Sequence, residues 1–183
     1  MFMVAAGKNG RSAVRGFAMM LLTVVVAGAA PVRSDENQVA RYATDATIPF
    51  LVAGELLLCL DGKEGKREAT QGAEALMATG IATELLKATV NEKRPNSDAR
   101  DSFPSGHTSA AFAMATVLGE DMPQYKWPVY GAAAVIGWSR VEVGDHHWHD
   151  VIAGAALGHL IGKHFVNKRL AVTSNGVAFQ TQW

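Results

Sequence analysis

Residues 139–166 read SRVEVGDHHWHDVIAGAALGHLIGKHFV and decide most of what the chain can fold into. The Gly144-Asp145 pair marks a break, and the segment after it predicts a helix over residues 147–166. This helix is rich in alanine and glycine, which lets neighbouring helices approach closely. The segment therefore predicts a helical domain whose helices pack tightly, preceded by a polar stretch that bears several ionisable side chains.

The sequence upstream predicts more helices and little else. Pro95 is expected to stop the second of them, and Pro128 to be the first residue of the fourth. The predicted helices cover residues 45–60, 69–92, 108–119 and 128–141. Because a spanning helix needs about 20 mostly apolar residues, and Glu55 and other charges interrupt these runs, we expect a soluble or surface-attached bundle. A membrane-embedded bundle is the alternative.

The two ends of the chain differ from this helical middle. Residues 1–29 resemble a secretory signal peptide: cations come first, an apolar run follows at 16–26, and small residues at 27–29 have the A-x-A spacing. An uncleaved anchor is the alternative, and either predicts export, to the periplasm if the source is Gram-negative. The tail, residues 169–183, is predicted to be a hairpin around Asn175-Gly176 or a disordered tail. Residues 39–168 are then the folded domain.

Composition limits the classes of function. Apolar residues make up 49% of the chain, enough for a real core, and 17 basic residues balance 17 acidic ones. A net charge of +0 gives no general attraction to nucleic acid, so any anion site must be a local cluster of cations. The single cysteine, Cys59, excludes an internal disulfide and is predicted to be a buried small apolar residue.

The first of three chemical clusters is the segment 87–95, KATVNEKRP. Lys87 and Arg94 lie two helical turns apart, which would place both cations on one helix face. Such a pair beside a helix end can clamp an anion. The alternative is a solvated basic patch.

The second cluster is the segment 103–109, FPSGHTS. Gly106 lets backbone N–H groups approach a ligand closely, and the helix predicted just after it offers unpaired N–H groups that favour a phosphate. Ser105 can add a hydroxyl donor, and His107 would stand at the rim. The alternative is a serine helix cap with an incidental histidine.

The third cluster lies in the opening segment, between Arg140 and Asp150. Arg140 offers a planar fork that suits phosphate oxygens. His146 and Asp150 are four residues apart, so on a helix the carboxylate could fix one ring nitrogen and leave the other free to attack. A metal site is disfavoured because no standard zinc spacing is present, and we assign no metal ligand. That alternative would use His146, His147, His149 and Asp150.

Together the three clusters resemble the type 2 phosphatidic acid phosphatase superfamily, which includes bacterial class A acid phosphatases and vanadium haloperoxidases. The signature of this family is K-x6-R-P, then P-S-G-H, then S-R-x5-H-x3-D. Segments 87–95, 104–107 and 139–150 match every fixed position. The resemblance implies an all-α fold, a compact helical bundle of the acid phosphatase/haloperoxidase type, with the catalytic domain at 39–168.

The resemblance also implies a role for each matched residue. His146 would be the nucleophile, Asp150 would orient it, and His107 would act as acid and then as base. No cofactor is implied. The expected phosphate-binding residues are Lys87, Arg94, Ser105, Gly106 and Arg140.

The expected activity is metal-independent hydrolysis of phosphate mono- or diphosphate esters through a phosphohistidine. A lipid phosphate at a membrane surface is the favoured substrate, and Trp127, Trp138 and Trp148 are compatible with that location unless they belong to the core. The alternatives are a broad-specificity soluble acid phosphatase, a vanadium-dependent haloperoxidase and a non-enzymatic module that binds anionic lipid. No oligomeric state is predicted.

Overall fold

A computed structural model describes residues 36–60, 62–173 and 176–181, with side chains described for 38–60 and 65–167. The predicted signal peptide at 1–29 lies outside the described residues. Six α-helices, a short 3₁₀ turn at Pro123–Tyr125 and a hairpin make up the described chain, which confirms the all-α prediction for the domain. The elements are α1 Glu36–Asp45, α2 Thr47–Cys59, α3 Gly62–Val90, α4 Gly106–Asp121, α5 Lys126–Glu142, α6 Trp148–Asn167, β1 Lys168–Thr173 and β2 Gly176–Thr181.

Helix α4 is the centre of the bundle. It contacts α2, α3, α5 and α6, and ten of its sixteen residues are buried. Its apolar residues are small, apart from a few such as Met114 and Leu118, which pack with Phe50 and Ile136 in one core. Because its side chains are small, α4 can be surrounded by other helices. Its first residue, Gly106, therefore lies close to neighbouring helices.

The closest helix pair is α4 with α6, and glycine makes it so. A Cβ atom added to Gly158 would lie 2.0 Å from the backbone oxygen of Ser109, and one added to Gly154 would lie 2.7 Å from that of Ser105. Since real side chains cannot come so near, the two backbones touch directly. The tight packing predicted from the alanine and glycine content is thus observed, and it brings the start of α6 against the start of α4.

The end of α3 differs from the prediction. The helix stops at Val90, and Asn91 follows with a φ of 53°, a left-handed conformation that terminates helices. The prediction that Pro95 ends this helix was therefore wrong. The helix also begins earlier than predicted, at Gly62.

Helices α1 and α2 run almost end to end. Ala46 keeps helical angles between them, and its N–H donates to the oxygen of Tyr42 at 2.9 Å. As a result, Gln38–Cys59 forms a 22-residue stretch that is long and apolar enough to cross a membrane, by length and composition only. The expectation of no such run was wrong because it counted 45–60 alone. A buried core helix would pass the same test, and 39% of the apolar 18-residue window within this stretch is buried.

Smaller differences lie at the remaining elements. Cys59 is exposed, not buried, because it is the last residue of α2. Pro128 is the third residue of α5, not the first. Of the two predictions for the tail, the hairpin is correct: β1 and β2 pair antiparallel, with Leu170 opposite Phe179.

Candidate active site

The three sequence clusters meet at one cavity of about 360 Å³. It opens where α3, α5 and the loop before α6 approach the first turn of α4. Six predicted site residues line it: Lys87, Arg94, Gly106, His107, Arg140 and His146. Polar residues Thr47, Glu84 and Asp101 and apolar residues Ile48, Leu51 and Ala110 complete the lining.

Lys87 and Arg94 face the same cavity for a different reason from the one predicted. Arg94 lies beyond the end of α3, in a loop that folds back on itself, with the Arg94 N–H bonded to the oxygen of Ala99 at 2.9 Å. Asp101 then holds both cations. Its carboxylate accepts two hydrogen bonds from Arg94, at 2.7 and 2.8 Å, and its backbone oxygen accepts one from Lys87.

These contacts set the ionisation of the pair. The hydrogen bond to Asp101 raises the pKa of Arg94, and the same bond lowers the pKa of Asp101. Burial lowers the pKa of Lys87 from its ordinary value. Asp101 and Glu84 both favour the charged form of Lys87, which burial and the nearby charge of Arg94 oppose.

Arg140 is the most buried of the three cations, with 4% of its surface exposed. One terminal nitrogen is paired with Asp145, and the other donates to the hydroxyl of Thr44 at 3.1 Å. Asn96 in turn donates to Asp145 at 3.0 Å, which fixes that carboxylate. The Nε atom of Arg140 is buried and has no hydrogen-bond partner among the described residues.

His146 and Asp150 approach each other, but not as a closed hydrogen bond. His146 Nδ1 lies 3.5 Å from Asp150 Oδ2, which is longer than a normal hydrogen bond. Oδ2 instead accepts from the hydroxyl of Ser102 at 2.6 Å and from the backbone N–H of His147 at 2.8 Å. Catalytic hydrogen bonds are often this long before a ligand tightens them.

Both cavity histidines are held neutral. Burial, followed by the nearby charge of Arg140, lowers the pKa of His107 and of His146 to about 4. For Asp150, burial opposes ionisation, but hydrogen bonds from Ser102 and the His147 N–H outweigh it and lower the pKa. At neutral pH the cavity therefore contains two uncharged imidazoles with an ionised carboxylate behind one of them.

The first turn of α4 supplies the floor. Gly106 and His107 line the cavity, but Ser105 does not: it is fully buried, and its hydroxyl accepts a hydrogen bond from Thr108 at 3.0 Å. The Ser105 N–H donates to the backbone oxygen of Asp150 at 3.1 Å, which ties α4 to α6 directly below the site. Ser105 makes no side-chain cap to the helix, so the capping alternative has no support here.

Sequence reasoning missed the residues that hold the cations and the carboxylate in place. Each of them either lies far along the sequence from the residue it contacts or lies at no regular helical spacing from it. No local sequence pattern therefore predicts the contact. These residues are Thr44, Asn96, Asp101, Ser102 and Asp145.

Comparison with known protein families assigns this chain to one of them. The PAP2 superfamily matches residues 69–173, more than half of the chain and all three sequence clusters. The chain belongs to the PAP2 superfamily, which confirms the resemblance deduced from the motifs.

Individual relatives match parts of longer proteins. A lipid A 1-phosphatase of Porphyromonas gingivalis is 42% identical over 118 residues, which cover 58% of this chain and 26% of that protein. A lipid A 1-phosphatase of Rhizobium etli is 29% identical over 140 residues, 60% of each. The chain thus spans less than two thirds of the length of these relatives. The crystal structure of Aquifex aeolicus LpxE shares the fold, with a TM-score of 0.57 at 23% identity over 90% of this chain and 99% of that one.

Proposed function

We propose that this chain hydrolyses phosphate mono- or diphosphate esters of lipids by passing the phosphoryl group through His146, without a metal ion. One observation carries the proposal: three cations and two neutral imidazoles line a single cavity of about 360 Å³. The cations are Lys87, Arg94 and Arg140. Such a cavity suits a group that is anionic, tetrahedral and in need of a nucleophile.

In the first step, His146 attacks phosphorus. Its Nδ1 faces Asp150, so Nε2 is the free nitrogen that would form the new P–N bond. His107 is otherwise neutral at pH 7, but the negative charge of a bound phosphate favours its protonated form, so it takes up a proton as the substrate binds. The P–O ester bond breaks as the P–N bond forms, and the leaving alkoxide takes that proton from His107. Asp150 stabilises the positive charge that develops on the His146 ring.

In the second step, water releases the phosphate. His107, now neutral, removes a proton from water, and the oxygen of that water attacks phosphorus as the P–N bond breaks. The products are inorganic phosphate and free His146, and His107 holds the proton for the next cycle. A histidine can serve in turn as acid and base because both of its forms are accessible.

Protein cations can supply what a metal ion supplies in other phosphoryl-transfer sites. Negative charge spreads over the three equatorial oxygens in the transition state, and fixed positive groups stabilise it there. The guanidinium groups of Arg94 and Arg140 are each held by a carboxylate, so they need little reorganisation when the substrate binds.

Apolar surface next to the cavity supports a lipid substrate. Ile48 lines the cavity while 63% of its surface is exposed, and Val52, Leu56 and Leu60 continue the exposed stripe along α2. Residues four apart share one helix face, so the stripe leads away from the cavity as an acyl chain would. The relatives named above as lipid A phosphatases act on a phosphorylated lipid by name.

The same surface supports work at a membrane after export. A second exposed apolar stripe runs along α3, from Met77 through Ile81 to Leu85. Trp127 and Trp148 are exposed rather than part of the core, and tryptophan favours the boundary between lipid and water. An exported enzyme whose apolar faces rest on a bilayer would meet lipid phosphates directly.

The test is phosphate release by the full chain in EDTA, with matched substrates. Phosphatidate, lipid A, polyprenyl diphosphate and p-nitrophenyl phosphate would be compared in mixed micelles. His146→Ala should abolish turnover, whereas His164→Ala, on the exposed last turn of α6, should leave it unchanged. Acid-labile phosphate bound to protein should appear in rapid-quench samples of the unaltered chain and be absent from His146→Ala.

Each other outcome points elsewhere. Brisk turnover of p-nitrophenyl phosphate with none on any lipid would overturn the lipid assignment in favour of a soluble acid phosphatase. Activity that survives His146→Ala would overturn the phosphohistidine. Halide oxidation with added vanadate and peroxide, without phosphatase activity, would make the cavity a haloperoxidase site.

A further inference from the structure

We propose that Glu92, His147, His149 and Asp150 form a binding site for a divalent transition-metal ion, with Zn²⁺ the best fit. The four side chains come from the loop after α3 and from the start of α6. They offer two imidazole nitrogens and two carboxylate oxygens, all within 4.8 Å of one another. This donor set is the one that zinc prefers when cysteine is absent.

The distances between the donor atoms approach those of a tetrahedral site. Bonds of about 2.0–2.1 Å to zinc place two ligands about 3.4 Å apart. His147 Nδ1 lies 3.4 Å from Glu92 Oε1, and His149 Nε2 lies 3.2 Å from Asp150 Oδ1. His149 Nε2 and Glu92 Oε1, which are 2.6 Å apart, must separate to admit the ion. Donor pairs that are farther apart than about 3.4 Å, within the 4.8 Å span of the group, must come closer.

A buried and unpaired carboxylate oxygen points to a missing partner. Asp150 is fully buried, and its Oδ1 atom has no hydrogen-bond partner among the described residues, although Oδ2 has two. The Nδ1 atom of His147 is also buried without a partner. Groups of this kind are costly unless a hydrogen bond or a metal satisfies them. An ion bound by Asp150 Oδ1 and His147 Nδ1 would satisfy both atoms.

The two imidazoles are already arranged side by side. The rings of His147 and His149 lie 5.1 Å apart between centroids and only 10° from parallel. Phe103 stacks on the other side of His149, with centroids 6.2 Å apart. Packing therefore limits the rings before any ion arrives, and less ordering is needed on binding.

The fold explains why the sequence did not reveal this site. The alternative considered from sequence used His146 as a ligand, but His146 lines the catalytic cavity. Glu92 takes the fourth place instead, brought from 55 residues upstream of His147 by the loop that ends α3. No spacing within residues 146–150 could indicate that partner.

An ion at this site would act on catalysis through Asp150. The carboxylate would share its charge with the metal through Oδ1 while Oδ2 still faces His146. Less negative charge would then be available to stabilise the positively charged ring during phosphoryl transfer, so the ion would slow turnover. This inhibitory effect depends on the proposed function, whereas binding of the ion does not.

Binding would be measured on the full chain, purified without a histidine tag. Zn²⁺ would be titrated by calorimetry, and Co²⁺ by the visible absorption that tetrahedral nitrogen and oxygen ligands produce. We expect one ion per chain. His149→Ala and Glu92→Gln should each weaken binding by about tenfold or more, since even outer-shell changes at metal sites cost about 10–100-fold.

Matched controls are available on the same helices. His164→Ala removes an exposed imidazole at the other end of α6. Glu74→Gln removes a carboxylate from α3, with about 24 Å of helix between it and Val90. Both control variants should bind Zn²⁺ like the unaltered chain. The site would be overturned if the chain did not bind one Zn²⁺, or if His149→Ala and Glu92→Gln bound Zn²⁺ as tightly as the unaltered chain.

The effect on catalysis is read separately. Zn²⁺ should slow phosphate release severalfold in the unaltered chain, and Glu92→Gln should keep its activity in the presence of the same Zn²⁺ concentration. If Zn²⁺ binds but turnover does not change, the inhibitory role is wrong and the site stands. If no turnover is found even in EDTA, the proposed function fails, and the calorimetric result still decides the metal site.

Discussion

Two clusters of positively charged side chains in this molecule differ in burial and in what surrounds them. The first is the cradle, formed by Lys87, Arg94 and Arg140 around the cavity. The second is the Glu120 cluster, in which Lys163 and Lys126 lie 2.9 and 3.4 Å from a single carboxylate oxygen of Glu120. The lysines of the Glu120 cluster are 38% and 39% exposed, whereas Arg140 is nearly inaccessible.

The difference lies in which donors remain available and where they point. In the Glu120 cluster two lysines share one carboxylate at the surface, where water can solvate all three groups. Exposed pairs of this kind contribute about 0–1 kcal/mol. In the cradle, a buried Nε of Arg140 lacks a hydrogen-bond partner among the described residues, and the cations line a cavity that His146 also lines. We expect cations to bind an anion when they are buried, incompletely paired and oriented toward one cavity.

The largest effect is expected from removing the deepest cradle cation. Arg140→Gln should lower kcat/KM for any hydrolysed ester by about 10²–10³-fold, the loss typical of one oxyanion donor in a preorganised site. The matched change in the other cluster, Lys163→Gln, should leave kcat/KM within about twofold, because Lys163 does not line the cavity and salt screens charges at the surface. Steady-state kinetics on both variants measures the contrast.

The melting temperature of each variant separates a loss of activity from a loss of stability. Arg140 also pairs with Asp145, so its removal leaves that carboxylate with the Asn96 amide but without its cation, and we expect the melting temperature to fall. Activity would therefore be measured well below the melting temperature of the variant. Equal activity losses in Arg140→Gln and Lys163→Gln would mean that the two clusters are not different in kind.

The cradle residues could be predicted from sequence because three local spacings carry them. The motifs fix Lys87, Arg94, Arg140, His107 and His146, and each of these lines the cavity. The helices could be predicted as well, because proline, glycine and apolar runs mark them. The predictions that failed concern helix ends: α3 ends at Val90 because Asn91 takes the left-handed conformation, and no proline marks that position.

The partners of the cradle could not be predicted, for a physical reason. Asp101 and Asp145 hold their arginines through loops whose path depends on the whole bundle, and Thr44 reaches Arg140 from 96 residues away. Ser105 is a further case: its motif position predicts a phosphate ligand, and the close contact of α4 with α6 buries it below the cavity. Long-range packing decides these cases.

The second contrast is in pH. His107 has a pKa of about 4 in the folded chain and 6.5 as its ordinary value. His107 therefore binds a proton more tightly in the unfolded chain. Protonation of His107 costs no free energy of unfolding above about pH 6.5, and the cost grows as the pH drops toward 4. Between pH 7 and 5 the loss from this residue is about 2 kcal/mol at most.

The Glu120 cluster should lose nothing in that window. The hydrogen bond from Lys163 lowers the pKa of Glu120 below 4.5, so its contribution disappears only at more acidic pH. Melting temperatures from pH 7 to 5, in EDTA, should fall less steeply in His107→Gln than in the unaltered chain. His164→Gln is the control. An unchanged slope in His107→Gln would show that the cavity does not disfavour the charged imidazole.

The smallest effect compares the two carboxylates. Asp101→Asn removes the group that orients Arg94 through two hydrogen bonds. We expect kcat to fall about tenfold, because misplaced transition-state contacts cost rate. KM should not rise, since a negative charge has also left a cavity that must accept an anion. A rise in KM with unchanged kcat would contradict this positioning role.

Glu120→Gln is the matched change, and its expected result is different in type. It removes an exposed carboxylate that holds two lysines, so stability should fall by less than about 1 kcal/mol, and kcat and KM should stay as they are. The Glu120 carboxylate holds two lysines, whereas the Asp101 carboxylate holds Arg94 and the backbone oxygen of Asp101 holds Lys87. Only the residue beside the cavity should matter to turnover. A loss of kcat in Glu120→Gln equal to that in Asp101→Asn would mean that Asp101 acts through general stability. The pair thus tests whether orientation of Arg94, rather than retention of charge, is what Asp101 contributes.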